Sequence, residues 1–500
     1  MLAHAAALCL GMLGIVDAAA AGSSDAAVTD WTAAARQDLR FAAEAVRTRH
    51  AGVVAGQPSV LLPLEAGLRT GLPEAEAVRS EQDYLRLMTR FIAGFGDPHT
   101  GIDLHLAVRG WTGIVLDQLG GLGSGEYRVV WTEPDWPTPL PPVGSTAQSC
   151  DEVWTGTWLQ LQVAPFTNRS PEYASASGVL AQQVMFDLGL GWTPKQCVFR
   201  LPDGRRKPYA LPLRSVPGEV PQARLDEIRP RYRAAARPVG LSTLAADKHW
   251  VGMPNFDGAR SGAAYEALYP KLAALPKSGW IVFDLRGNGG GDSSWGSRAL
   301  QALYGAPYAA KLNVAGGASK HQIADAETAA LLKHYIASED HADSRAEFES
   351  DLAKVEAAMR AGEKMAQVSG KPQAASAALA DPVVVPRPHG PRIAAVIDRT
   401  CFSSCMNFLQ QLKAAGDTVV LGEPTIGYSP FGEINRHALP SGRGALIIPS
   451  AWFKTATATR EPFLPDYPYE GSMADEEALQ KWVKATLDKL NKPDKTERQR

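Results

Sequence analysis

Five hundred residues, 45% of them hydrophobic and 21% charged, leave room for roughly two to four domains and a sizeable core, which excludes a disordered or fibrous chain. A formal net charge of −2 gives no basic footprint, so nucleic acid and anionic membrane surfaces drop out as expected partners.

Met1 to Ala21 form an apolar stretch closing in four alanines, Ala18 to Ala21. A hydrophobic region ending in an Ala-x-Ala site predicts a secretory signal at 1–21, hence an exported protein, periplasmic or secreted. Asp17 interrupts the run before about 18–20 apolar residues accumulate, and no other stretch could span a bilayer. Removing the signal leaves Cys150, Cys197, Cys401 and Cys405, an even number that permits disulfides outside the cytosol.

Residues 22–105 carry helical periodicity, with Leu85, Met88, Phe91, Ile92 and Phe95 on one face, and end in Gly96-Asp97-Pro98-His99-Thr100. From 106 to 230 the texture changes to short strand-like runs such as Tyr127–Trp131, Trp158–Val163 and Cys197–Leu201, separated by Pro-rich turns. Cys150 and Cys197 each lie beside such a run and are the favoured structural pair. Cys401 and Cys405, four apart, could also bridge. Residues 231–310 alternate strand and helix; 311–385 hold a polar, charged helical stretch that reads as a solvated hairpin inserted into that alternation. Alternation resumes over 386–490, closing with a helix from Glu476 to Leu490 and a charged tail at 491–500.

Two segments carry the chemistry. Trp280 to Phe283 is a short apolar run that stops at Asp284 and gives way to Leu285-Arg286-Gly287-Asn288-Gly289-Gly290-Gly291. That reads as a buried strand emptying into a glycine turn whose N–H groups can converge on an oxyanion. The Walker pattern fails for want of a Gly-Lys-Ser/Thr ending. The dinucleotide pattern fails because its sixth place is Asp292. The second segment runs Ile393 to Ile397, then Asp398-Arg399-Thr400-Cys401-Phe402-Ser403-Ser404-Cys405, then a helix ended by Gly416. A serine at a strand-to-helix turn is exposed to the helix dipole and suits a nucleophile, although Ser403 or Ser404 could equally be a cap. A further strand, Val419 to Leu421, runs into Gly422-Glu423-Pro424-Thr425.

These pieces, in this order, resemble the C-terminal-processing (tail-specific) serine proteases, a group that includes the tricorn core protease and the retinoid-binding relatives. The resemblance covers roughly 30–105, 240–305 and 390–480. It implies an α/β fold: a crotonase-like layered catalytic domain with an N-terminal helical segment and a small β-rich, degenerate PDZ-like domain. Many members activate the serine with a lysine, but the matching place here is Tyr428. The tricorn branch uses a histidine and a distant carboxylate instead. The resemblance therefore implies Ser403 as nucleophile, His99 as base and Glu461 as acid, ahead of Asp466 and Glu433. Ser404 with Gly289 or Gly290 would supply the oxyanion-hole N–H groups. The expected substrate is a peptide or protein, with no cofactor and no metal. A non-catalytic ligand-binding relative is the main alternative. A thiol hydrolase using Cys401 or Cys405, and a lysine base such as Lys454, are others.

Overall fold

The computed structural model describes residues 30–118, 125–168, 174–232, 238–315, 319–338, 344–369, 384–454 and 461–491. The signal segment expected at 1–21, and all but the first residue of the tail expected at 491–500, lie outside them. Among the described residues no helix is long and apolar enough to cross a membrane.

A central six-stranded sheet sets the frame, in the order Gly240–Ala245, Lys248–Gly252, Trp280–Asp284, Arg392–Ile397, Val419–Gly422, Tyr467–Pro468. The first pair is antiparallel and every later pairing is parallel. Because side chains alternate along a strand, each strand feeds two cores. Ile281, Phe283, Ile393, Ala395 and Ile397 face a layer built on the helices Gly258–Ala273, Ser294–Tyr304 and Ser404–Ala414. Trp280, Val282, Ala394 and Val396 face the closing helix Glu476–Leu490 through Leu479, Val483 and Leu487. Helices on both faces explain why these strands read as unbroken apolar runs. The carboxyl ends of Trp280–Asp284, Arg392–Ile397 and Val419–Gly422 all open at one edge, where loops of a parallel sheet usually carry ligand sites.

A second sheet delivers the remaining parts. The long strand Ala445–Lys454 pairs with Phe431–Ala438 along most of its length, with Gly101–Asp103 at its start and with Ser319–Ile323 at its end. Ser319–Ile323 in turn pairs with Met365–Ser369. The stretch expected to be a solvated helical hairpin is thus only partly one. Its helices, Ala326–Ala337 and Arg345–Arg360, do pack together, around Leu332, Phe348 and Val355. The strands flanking them are stitched into the second sheet, and both Lys320 and Asp351 are buried. A charge-rich composition concealed this, because several of its charges point inward and meet each other.

The N-terminal helices Trp31–Arg49, Pro58–Ala77 and Glu81–Ala93 share one core with the β-rich region. That region is a sheet of Ile114–Gln118, Tyr127–Thr132, Thr146–Cys150, Gln196–Arg200 and Arg206–Ala210. Cys150 lies directly opposite Cys197 in it, and the two form a disulfide. Cys401 and Cys405 form a second. The run Trp158–Val163, read as a strand, instead belongs largely to a helix, Thr155–Gln162, which buries Trp158 and Leu159 while leaving Leu161 exposed. Trp158, Leu159 and Val163 fall on one helical face, and Leu161, which the alternation would place with Leu159, falls off it.

Candidate active site

The turn that carries Ser403 is made by backbone. Asp398, at the end of its strand, accepts N–H bonds from Thr400 and, across the sheet edge, from Gly287 at 3.1 Å. Phe402 N–H donates to the Asn288 carbonyl at 3.2 Å, so the two loops are laced together before either reaches its helix. Burial pushes the Asp398 carboxyl up to about 6 against the hydrogen bonds that lower it. Ser403 then sits at φ 54°, ψ −125°, in the left-handed half of the map, and begins the helix Ser404–Ala414. A non-glycine residue there is strained, as expected of a nucleophile thrust out on a sharp strand-to-helix turn. Gly290 fits against it so closely that a Cβ would lie 2.8 Å from Ser403 Cβ and 3.0 Å from Ser404 N, at φ +105°.

Ser404 has a different part. Its hydroxyl donates to the Gly291 carbonyl at 2.5 Å and accepts from Ser293 at 2.9 Å, which holds it as a clasp between the loops. Gly290 N–H is engaged by Asn288 Oδ1 at 2.9 Å. The adjoining Asp284 and Arg286 form a buried brace: Arg286 pairs with both oxygens of Asp284 and reaches Met473 O and Glu476 on the closing segment. These two charges of the glycine motif therefore support the loop without entering it.

His99 comes from the other side. Its ring centroid is 4.5 Å from that of Phe402, one residue from Ser403. Burial drives its basicity below the ordinary histidine value, while Asp97, the Phe431 carbonyl and Glu433 pull it back up. Its Nδ1 is buried and has no hydrogen-bond partner among the described residues. Glu433 sits at φ 51° within the strand Phe431–Ala438, whose register with Ala445–Lys454 is the same on either side of it, and its side chain meets Lys320 at 2.8 Å. Lys320 also meets Asp351 at 3.0 Å. Glu461 is exposed, on the segment whose Phe463 N–H donates to the Thr425 hydroxyl at 2.9 Å, and no described contact joins it to His99. Asp466 is engaged elsewhere, accepting the Val420 N–H at 2.8 Å. Tyr428 is partly buried, and burial raises its hydroxyl to about 12. Lys454 is exposed at the end of its strand.

Lys320 and the cluster Asp117–Arg399–Glu423 were not legible as site-forming residues. Arg399, two residues before Cys401, pairs with both oxygens of Glu423 and reaches Asp117 of the β-rich sheet at 2.6 Å. Gly178 packs against that guanidinium with no room for a side chain. The turn that carries Ser403 is therefore docked to the β-rich region by a buried cation.

No family model and no curated protein matches the sequence. Solved structures do. Mature CPAF, in its complex with lactacystin, superposes with a TM-score of 0.63 at 12% identity, covering 92% of this chain and 98% of that one. The photosystem II D1 C-terminal processing protease matches at TM-score 0.31 and 14% identity, covering 89% and 94%. The tricorn protease matches at 0.39 and 12%, covering 92% of this chain and 37% of its own. The last two are looser likenesses. With layers, sheet order and loop edge already described, the CPAF superposition completes the description: this chain has the fold of CPAF over 92% of its length.

Proposed function

We propose that the chain is an exported serine peptidase that hydrolyses peptide bonds through an acyl-enzyme on Ser403. The observation that carries this reading is the strained Ser403, wedged against Gly290 and beside His99. His99 takes the hydroxyl proton, Ser403 Oγ attacks the carbonyl carbon, and the imidazolium returns the proton to the leaving amine. Water then repeats the sequence on the ester. Gly289 and Ser404 supply the oxyanion-hole N–H groups, since Gly290 N–H is already donated to Asn288. Such donors are worth roughly 3–4 kcal/mol each to the transition state. Two acids compete for the carboxylate role. Glu461 has the place in the chain that the tricorn branch implies, and Glu433 has the charge that reaches His99. Glu461→Gln and Glu433→Gln, assayed side by side, decide between them. The central layers are assigned as a crotonase-like catalytic domain and the β-rich region as a degenerate PDZ-like module. Two disulfides support folding outside the cytosol.

A second reading, a ligand-binding relative that kept the fold, is favoured by two observations. Tyr428 stands where a lysine base would be, and no described hydrogen bond joins Ser403 to His99. Catalytic hydrogen bonds commonly tighten only in the substrate complex, which is why the peptidase reading stands first. Mass-spectrometric digestion of a peptide library by wild type and Ser403→Ala tests it: cleavage by the first and none by the second is expected. Mature CPAF was solved in complex with lactacystin, so that compound is the ligand to try first. Absence of both cleavage and fluorophosphonate labelling in the wild type sinks the peptidase reading.

A further inference from the structure

The turn that presents His99 contains a directed hydrogen-bond chain. Thr100 hydroxyl donates to Asp97 Oδ2 at 2.6 Å. A hydroxyl has one proton, so its remaining capacity is as an acceptor, and the His50 Nε2 lying 2.8 Å away must be the donor. His50 Nδ1 accepts the Gly52 N–H at 3.0 Å, which leaves that nitrogen unprotonated. His50 is therefore neutral in this arrangement, a fixed tautomer that starts helix Ala51–Val54 at one nitrogen and feeds Thr100 with the other. Asp97, His50 and Thr100 are all buried, and His50 stacks edge-on against Phe431 at 4.8 Å. The other Asp97 oxygen lies 3.4 Å from the His99 backbone N–H.

The consequence is electrostatic. Asp97 brings a buried negative charge within two residues of the proposed base, and its hydrogen-bond partners in this chain are neutral. His50 and Thr100 orient the carboxylate without cancelling it. The groups facing His99 are Asp97 on its own turn, the Phe431 carbonyl and Glu433 on the strand Phe431–Ala438, and the uncharged Phe402 ring. Glu433 already pairs with Lys320, whereas the described ion-pair partner of Asp97 is His50, 4.0 Å away, which the hydrogen bonds above keep neutral.

We propose that Asp97 stabilises the imidazolium form of His99, and that His50 and Thr100 are positioning residues that aim it. This rests on the assignment of His99 as the base. It adds a second carboxylate to the site, drawn from the histidine's own turn.

The test is the pH dependence of Ser403 labelling by a fluorophosphonate probe. In that reaction the Ser403 Oγ–H proton passes to His99, Oγ bonds to phosphorus and fluoride leaves. Asp97→Asn should move the inflection of the labelling rate down by about one pH unit or more, because an opposite charge at short range favours the protonated ring. Thr100→Val, which removes the hydroxyl at constant shape, should move it in the same direction by less. Thr100→Ser should restore the wild-type inflection. A turn that merely supports the fold would change stability and amplitude but leave the inflection in place, and that result overturns the proposal. If the wild type is not labelled, the reading of Ser403 as an active nucleophile is what has failed. The proposal is then decided by NMR titration of ¹³C-labelled His99 in the wild type and in Asp97→Asn: a lowered titration point in the variant supports it, and an unchanged one refutes it. If Asp97→Asn does not fold, the Thr100→Val and Thr100→Ser pair carries the same comparison.

Discussion

The two halves of the candidate site are built by different means. The Ser403 half is backbone work: positive φ angles at Ser403, Gly290 and Gly291, N–H groups tied to Asp398 and Asn288, and a disulfide across the turn. The His99 half is side-chain work: Asp97, His50, Thr100, Glu433, Lys320 and Asp351, drawn from segments far apart in the chain. Backbone geometry fixes where an atom is. Buried charges fix what protonation state it prefers, at the cost of desolvating every member. Damage to the first half should appear in rate alone, and damage to the second in rate and stability together.

The largest expected effect breaks the first half. Ser403→Ala should abolish hydrolysis and leave the melting temperature within a few degrees of wild type. Gly290→Ala should reduce fluorophosphonate labelling by about 100-fold or more, since the new methyl collides with Ser403 and the loop that carries an oxyanion donor must shift. Ser404→Ala loses the clasp to Gly291 but retains its backbone N–H, so labelling should fall less than in Gly290→Ala. Equal losses in the two variants would show that the hydroxyl clasp matters as much as the close approach.

Next comes the second half. Lys320→Met leaves Asp351 and Glu433 facing each other without their cation and should cost about 3–5 kcal/mol in denaturant unfolding. It should also raise the basicity of His99, because Glu433 loses its neutralising partner, so the pH–rate inflection moves up. A variant as stable as wild type with an unmoved inflection would dissolve the distinction between the halves.

A third prediction concerns the disulfides. Cys150–Cys197 spans 47 residues, and its removal by a double Ser substitution should cost about 3–4.5 kcal/mol on the chain-entropy estimate. Cys401–Cys405 spans only 4, so its loss should cost less stability and register chiefly in labelling rate.

The smallest effects are with pH. Burial holds His99 below its ordinary value of 6.5, so activity should rise with pH at an inflection under that value in wild type. His437 is pushed down to about 4, first by burial and then by the Arg49 charge. Its unfolded form binds a proton that the folded form refuses, so stability should be complete above about 6.5 and fall as pH drops toward 4. His437→Gln should flatten that part of the stability profile, measured by urea unfolding at several pH values.

How much could be read in advance follows the same division. The strand-to-loop transitions at Asp284 and Asp398 were visible because apolar runs, glycines and small residues sit next to one another in the chain. The closing helix Glu476–Leu490 matched its expected ends for the same reason. Lys320 was invisible: within a polar stretch nothing distinguishes a lysine that will be buried between two acids from one that will face water. Asp97 and Thr100 lie in a recognisable turn, but the donor that orients them, His50, lies in a run, Arg49-His50-Ala51-Gly52, with no pattern of its own. Charge networks depend on register between distant strands, such as the pairing of Ala445–Lys454 with the strands that carry Glu433 and Lys320, and register leaves little trace in local periodicity.

The pairing of Gly101–Asp103 with the start of Ala445–Lys454 also sets when, during synthesis, the two halves can meet. Strands so distant in the chain close a long loop, which makes their association late and slow compared with local helix packing. The N-terminal helices and the β-rich region emerge first, but the core they share also takes Phe431, Leu439, Leu446 and Ile448 from the late strands. His99 is thus made long before Ser403, and Phe431 and Glu433, which flank the imidazole, come later still. A nascent chain therefore carries no assembled Ser403–His99 pair until its last large strand is made. For a protein proposed to cut peptides, that order of assembly keeps the growing polypeptide, and the machinery handling it, out of reach of its own chemistry.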